Sequence, residues 1–245
     1  MGLIPKNIQV SPDFEKSIFT KTEALEGVFE KIGNEKGVDF TKHMAKVRVA
    51  LDYSGSMRNH YRTGAVDNAL ERLLPLGLKF DDNGSMELWL FTEKFYEMPE
   101  VTYGNCRGYL GKNLPSKWKF PMGGTDYSPV LKEILKTHRK SSSDGIPTYV
   151  IFLTDGGCSP NDERKTDNVI KQMANENIFV QFVGIGHDSF SYLHHLDDFK
   201  DRSCDNTGFT DINIMGNVSD DELYSQLLEE YSGWVRDWLN NPNRK

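Results

Sequence analysis

Residues 148–154 read TYVIFLT, an apolar run closed by a threonine at each end. A strand with one face in water alternates polar and apolar residues. This one does not, so both its faces must be covered, as in the centre of a parallel sheet flanked by helices. Residues 46–53 (KVRVALDY), 86–91 (MELWLF) and 178–185 (IFVQFVGI) have the same β-branched and aromatic character. A weaker strand lies near 97–103 and a last one near 210–215. Helical stripes fall between them: Val66, Ala69, Leu70, Leu73 and Leu74 recur at helical spacing, as do Val130, Leu131, Ile134 and Leu135. Ser128-Pro129 and Ser159-Pro160 read as helix N-caps followed by proline, with Asp162 suited to the positive end of its helix. A final helix is expected over 220–238, with Tyr224, Tyr231, Trp234 and Trp238 on the face of Leu227, Leu228 and Val235 as core. This alternation predicts a doubly wound α/β sheet.

The first 45 residues stand outside the alternation. They predict one helix over about 22–32 and are read as an extension packed on the domain, which spans 46–240 and leaves 241–245 as a tail. With 245 residues, 38% of them hydrophobic, a chain of this size buries roughly 70–75% of its unfolded surface and folds without covalent staples. Cys106, Cys158 and Cys204 are odd in number and unpaired in spacing, which is neither a disulfide framework nor a zinc site and suits a reducing compartment. Residues 1–6 carry no apolar signal region, and the longest apolar stretch, 149–153, is too short to cross a bilayer. The expectation is a cytoplasmic protein, monomeric by itself, without membrane insertion. Lys and Arg number 29 against 36 Asp and Glu, a net charge of −7, and no basic face stands out, so nucleic acid is not an expected partner.

Two carboxylates sit just past the ends of the two best strands, Asp52 after VRVAL and Asp155 after VIFLT. In an open α/β sheet, ligands bind in the crevice beyond the strand ends where strand order reverses. Ser54 and Ser56 follow Asp52 at alternate positions and can face the same way. Between the strands, Gly123-Gly124-Thr125-Asp126 allows a tight turn that delivers a threonine hydroxyl to the same crevice. The donor set is all hard oxygen, which suits Mg²⁺, Mn²⁺ or Ca²⁺ and disfavours zinc. Two carboxylates just neutralise a divalent cation, so a partner's Asp or Glu could complete the shell.

Asp52-Tyr53-Ser54-Gly55-Ser56, Gly123-Gly124-Thr125-Asp126 and Thr154-Asp155-Gly156 resemble the three loops of the metal-ion-dependent adhesion site (MIDAS) of von Willebrand factor type A domains. The resemblance covers about residues 45–240, and DYSGSM, GGTDYSP and the VGIG strand end are most similar to the intracellular bacterial branch found among tellurium-resistance and stress-response proteins. It implies a mostly parallel six-stranded sheet in the order 3-2-1-4-5-6, with one antiparallel edge strand and helices on both faces. It also implies that Ser54, Ser56 and Thr125 bind a metal through their hydroxyls, Asp52 and Asp155 directly or through water, with Mg²⁺ the leading ion. Family members mostly bind other proteins, some switching between closed and open arrangements in which the last helix shifts.

Blander readings compete at each residue. Asp52, Ser54 or Ser56 could cap the following helix, but a cap accounts for one residue, not three converging loops. Asp126 is assigned a turn or capping role. Cys158, without a partnered base, reads as inert. His60 reads as a surface histidine, and His194-His195 with Asp197-Asp198 as a solvated surface, since adjacent histidines on a helix diverge. Gly184 and Gly186 lack the third glycine of a dinucleotide fingerprint. The main expectation is a non-enzymatic module whose divalent ion is completed by an acidic residue of another protein. The alternative is a metal-dependent phosphatase or other hydrolase using Asp52 and the metal, which position 54 disfavours, being serine where such enzymes place a second carboxylate. A scaffold whose metal loop is only structural is a third reading.

Overall fold

The computed structural model describes residues 8–81, 83–141, 144–186, 188–211 and 218–240. Six strands, β1 (Lys46–Asp52), β2 (Ser85–Phe91), β3 (Phe95–Thr102), β4 (Thr148–Thr154), β5 (Ile178–Gly184) and β6 (Thr207–Asp211), form one sheet in the order β3-β2-β1-β4-β5-β6. All neighbours are parallel except β2 and β3, which pair antiparallel at the edge. This is the expected doubly wound sheet. Strand order reverses between β1 and β4, so the crevice at their carboxyl ends is the sheet's switch point.

The period of two along each strand sorts side chains into two cores. Val47, Val49, Leu51, Tyr149, Ile151 and Leu153 face one layer, while Ala50, Val150, Phe152, Val180 and Phe182 face the other. The first layer holds α1 (Pro12–Lys36), α3 (Ala65–Phe80) and α8 (Asp220–Leu239), and the second holds α5 (Ser128–Ser141), α6 (Pro160–Met173) and α7 (Ser191–Asp197). Two one-turn helices, α2 (Arg58–Arg62) and α4 (Tyr109–Asn113), complete the elements of the described residues. Tyr224, Tyr231 and Trp234 of α8 are buried as expected, and the Tyr149 hydroxyl donates to the Leu227 carbonyl at 2.6 Å. Among the described residues no helix is long and apolar enough to cross a membrane.

Three local expectations are revised. The N-terminal helix runs from Pro12, not from about residue 22. Its first turns contribute only Phe14 and Ile18 to the core, a stripe too sparse to read, while Ser11-Pro12 starts it and Gly37, at φ 73°, ends it. The last strand begins at Thr207, and residues 212–215 of its expected span lie outside the described residues, as does the tail 241–245. Ser128 does not cap its own helix. Its hydroxyl donates to Asp162 at 2.6 Å, and the same carboxylate accepts the N–H groups of Tyr127 and Ser128 at 2.7 and 2.8 Å. Asp162 of α6 is therefore the cap of α5, reaching across the interface rather than serving only its own helix.

Candidate functional site

Asp52, the last residue of β1, is fully buried. One carboxylate oxygen accepts the Ser54 N–H at 2.7 Å, a local turn that starts the loop. The other accepts the hydroxyl of Thr154, the last residue of β4, at 2.7 Å. Ser54 and Ser56 meet hydroxyl to hydroxyl at 2.9 Å, and Ser56 donates to Asp155 at 2.9 Å. A hydrogen-bonded chain thus joins both strand ends through Asp52, Ser54, Ser56 and Asp155. The capping reading of these residues does not apply: Met57 holds the N-cap position of α2, with no side-chain cap bond.

The middle loop is fastened on both sides. The Gly55 N–H donates to the Gly123 carbonyl at 2.9 Å, and Ser54 and Gly123 form an isolated parallel bridge. On the other side, the Ser159 N–H donates to the Thr125 carbonyl at 2.8 Å, and the Ser159 hydroxyl donates to the Asp126 carboxylate. Asp126 thus fastens the glycine loop to the loop after β4, a tertiary tie and not the local turn or cap expected of it. Thr125 is placed beside the chain of four by its backbone, two residues from the Ser54 bridge, and no hydrogen bond within the described residues ties its hydroxyl elsewhere.

Burial pushes the Asp52 carboxyl up to about 6, against the opposing hydrogen bonds of Thr154 and Ser54. Asp155, part-buried, is also raised by burial; its Ser56 bond and nearby His60 oppose this, while Asp188 adds to it. Two acids whose charged forms are disfavoured by burial gain most from a cation between them. The group fits such an ion through oxygen alone. Among the described residues no three His, Cys, Asp or Glu side chains gather as a metal site, so a cation here must draw on the hydroxyls.

Several supporting residues carry no motif. Glu93, in the β2–β3 turn, accepts the Gly124 N–H at 2.8 Å, and a Cβ on Gly124 would lie 2.8 Å from that carboxylate. A side chain at 124 would therefore push the Glu93 carboxylate aside. The Tyr61 hydroxyl donates to the Asp52 carbonyl at 2.8 Å, and the Tyr127 hydroxyl to the Gly156 carbonyl. Glu93 and Asp188 were legible only as acids at the same edge of the sheet, one in each of two strand-end turns. Elsewhere, burial pushes the Cys158 thiol up to about 12, which leaves it a poor nucleophile. His195 pairs with Asp167 at 3.4 Å while His194 meets Phe209 edge-on, so the two rings serve different neighbours.

A family model described as vWA-TerF-like, the vWA found in the TerF C terminus, matches residues 44–241. The uncharacterized protein YcbR of Bacillus subtilis (strain 168) is 34% identical over 198 residues, which is 80% of each chain. The manganese-loaded TRAP protein of Plasmodium vivax superposes with a TM-score of 0.52 at 19% identity, covering 78% of this chain and 74% of that one. Proximal thread matrix protein 1 of the mussel byssus, with a zinc-occupied MIDAS motif, gives a TM-score of 0.52 at 16% identity over 79% of this chain. The present chain spans 46% of that mussel protein. At such identities the two structures are alike in fold.

Proposed function

The chain belongs to the vWA-TerF-like family of von Willebrand factor A domains, and from that membership we propose that it is a divalent-metal-dependent protein-binding module. The observation that carries the reading is the hydrogen-bonded chain from Asp52 through Ser54 and Ser56 to Asp155, which gathers carboxylate and hydroxyl oxygens from two adjacent strand ends. Asp52, Ser54, Ser56, Thr125 and Asp155 hold the ion. Mg²⁺ leads, and Mn²⁺ and Ca²⁺ satisfy the same hard-oxygen set. The bound ion supplies a positive charge with an open position, which takes an Asp or Glu side chain of another protein. The manganese-loaded TRAP protein and the mussel protein with its zinc-occupied MIDAS motif, alike in fold, support a divalent ion.

Binding is favoured over hydrolysis because Ser54 stands where hydrolases with an aspartate nucleophile place a second carboxylate, and the Asp52 oxygens meet only Ser54 and Thr154, neither of them a general base. The domain spans 46–240, with residues 1–45 as its N-terminal extension, and it works in the cytoplasm within a bacterial tellurium-resistance or stress-response system. It acts as a monomer until its partner binds.

Thermal unfolding with Mg²⁺, Mn²⁺, Ca²⁺ or chelator tests the metal. An ion at ~100 times its dissociation constant stabilises by about 2.7 kcal/mol, which for a chain of this size raises the melting temperature by roughly 5–10 °C. Wild type is expected to shift and Asp52→Asn not. An equal shift in both, or none in either at ~10 mM ion, rejects the site.

A further inference from the structure

The rim of the cleft is lopsided. Towards β4 and β5 it is acidic: Asp155 is joined by Asp188, whose carboxylate comes within 3.8 Å of where a Cβ on the neighbouring Gly156 would stand. Towards β3 it is basic and aromatic. Lys94 occupies the β2–β3 turn beside Glu93, whose carboxylate is held by the Gly124 N–H. Arg58 begins α2, in the segment that leaves Tyr53 and Ser54 after β1. Lys117, Trp118 and Lys119 lead into the glycine loop, and Trp118 is 88% exposed, the most exposed large hydrophobic among the described residues.

This tryptophan does not project from a loose loop. The N–H groups of Lys119 and Phe120 both donate to the Ser116 carbonyl, at 2.8 and 3.0 Å, closing a turn around it. Phe120 is buried and anchors that turn, stacked on Tyr53 at 5.9 Å and against Tyr96 at 5.6 Å. The Lys117 ammonium lies 5.4 Å over the indole, and the Lys119 ammonium 5.0 Å over the Tyr96 ring. Among the described residues, Arg58, Lys94, Lys117 and Lys119 form no salt bridge. An exposed indole on a closed turn, with one ammonium over its face and further cations in the same and neighbouring turns, offers the kind of aromatic anchor that dominates binding hot spots.

We propose that Lys117, Trp118 and Lys119, with Arg58 and Lys94, form a docking ledge for an acidic protein segment that also carries a large apolar side chain. One acid of the segment enters the cleft, the apolar side chain lies on the Trp118 indole, and further acids meet the lysines. The inference deepens the reading of the cleft as a metal site and rests on it. Charge complementarity selects the occupant. In a chain of net charge −7, the basic ledge gives an acidic segment both a point of entry and a direction, away from Asp188.

The test is selection of a displayed library of random dodecapeptides against the full chain in Mg²⁺. Binders are expected to combine an Asp or Glu with Trp, Phe or Leu and further acids, and to shield Trp118 from acrylamide quenching. Trp118→Ala, and Lys117→Glu with Lys119→Glu, should each weaken them by ~10-fold or more. Trp118→Phe should retain most of the affinity, and the Mg²⁺ melting shift should persist in all three. The ledge is overturned if no peptide binds, if basic or uncharged peptides emerge, or if acidic binders ignore these substitutions. Binders that need the ledge but survive chelator and Asp52→Asn would reject the metal reading and leave the ledge standing.

Discussion

The Asp162 carboxylate accepts hydrogen bonds from the N–H groups of Tyr127 and Ser128 and from the hydroxyls of Ser128 and Thr166, all in the dry space between α5 and α6. It lines no part of the cleft, yet it holds the residue that follows Asp126 and so sets where the glycine loop ends. A buried donor stripped of its acceptor loses its hydration without compensation, and the carboxylate's charge strengthens each bond. Asp162→Ala is therefore expected to cost about 3 kcal/mol or more, read as a lower urea midpoint. It should also weaken metal binding, because Thr125 precedes the segment that is released. Asp162→Asn keeps an acceptor oxygen and should fall between.

Helix α1 is the element whose status depends most on packing. Its buried residues, Phe14, Ile18, Leu25, Val28, Phe29 and Ile32, face the core, and Phe29 stacks on Phe40 at 5.3 Å and on Phe80 of α3 at 5.2 Å. Gly33 lets the chain return, since a Cβ there would lie 2.7 Å from the Val38 carbonyl. The aromatic stack continues through Tyr231 of α8 to Tyr149 of β4, so α1 and the sheet share one core. Phe29→Ala is expected to cost roughly 3–5 kcal/mol in a single cooperative urea transition. Phe19→Ala, at a position 53% exposed, should change little. Two separate transitions in Phe29→Ala would show that α1 unfolds on its own.

For the whole molecule, acid is the condition that tests how the layers are held. His138, 2% exposed, meets the Thr148 hydroxyl at 2.9 Å, and burial with Arg48 nearby holds its imidazole down to about 4. His43 meets the Tyr231 hydroxyl at 2.7 Å and is likewise held down to about 4 by burial. Both are neutral in the fold and protonate more easily in the unfolded chain. Their contribution is thus fully present above the unfolded value of about 6.5 and is lost as pH falls towards about 4. Between about pH 7 and pH 5 this amounts to roughly 2 kcal/mol for His138 and less for the partly exposed His43. The stability gap between wild type and His138→Gln should narrow by that amount in urea titrations at the two pH values. A constant gap would show that His138 does not titrate with unfolding.

The strands, the long helices from α3 onward and the three motif loops were legible because each depends on residues adjacent in the chain. An unbroken apolar run demands cover on both faces wherever it lies, and Asp52, Ser54 and Ser56 need only leave one strand end to fall into register. The α1 start was not legible, since Phe14 reads as core only once Tyr103, just past β3, lies beside it at 5.8 Å. The bracing of the cleft was decided by tertiary structure alone. Glu93 meets Gly124 across 31 residues and Asp162 meets Tyr127 across 35, and no local pattern says which acid caps which helix. The same holds for the turn that carries Trp118: its spacing is that of an ordinary loop, and only the stacking of Phe120 on Tyr53 ties it to the loop that follows Asp52. Local periodicity is set by backbone geometry, whereas the partner of a buried polar group is set by whichever element packs against it, which depends on the whole chain.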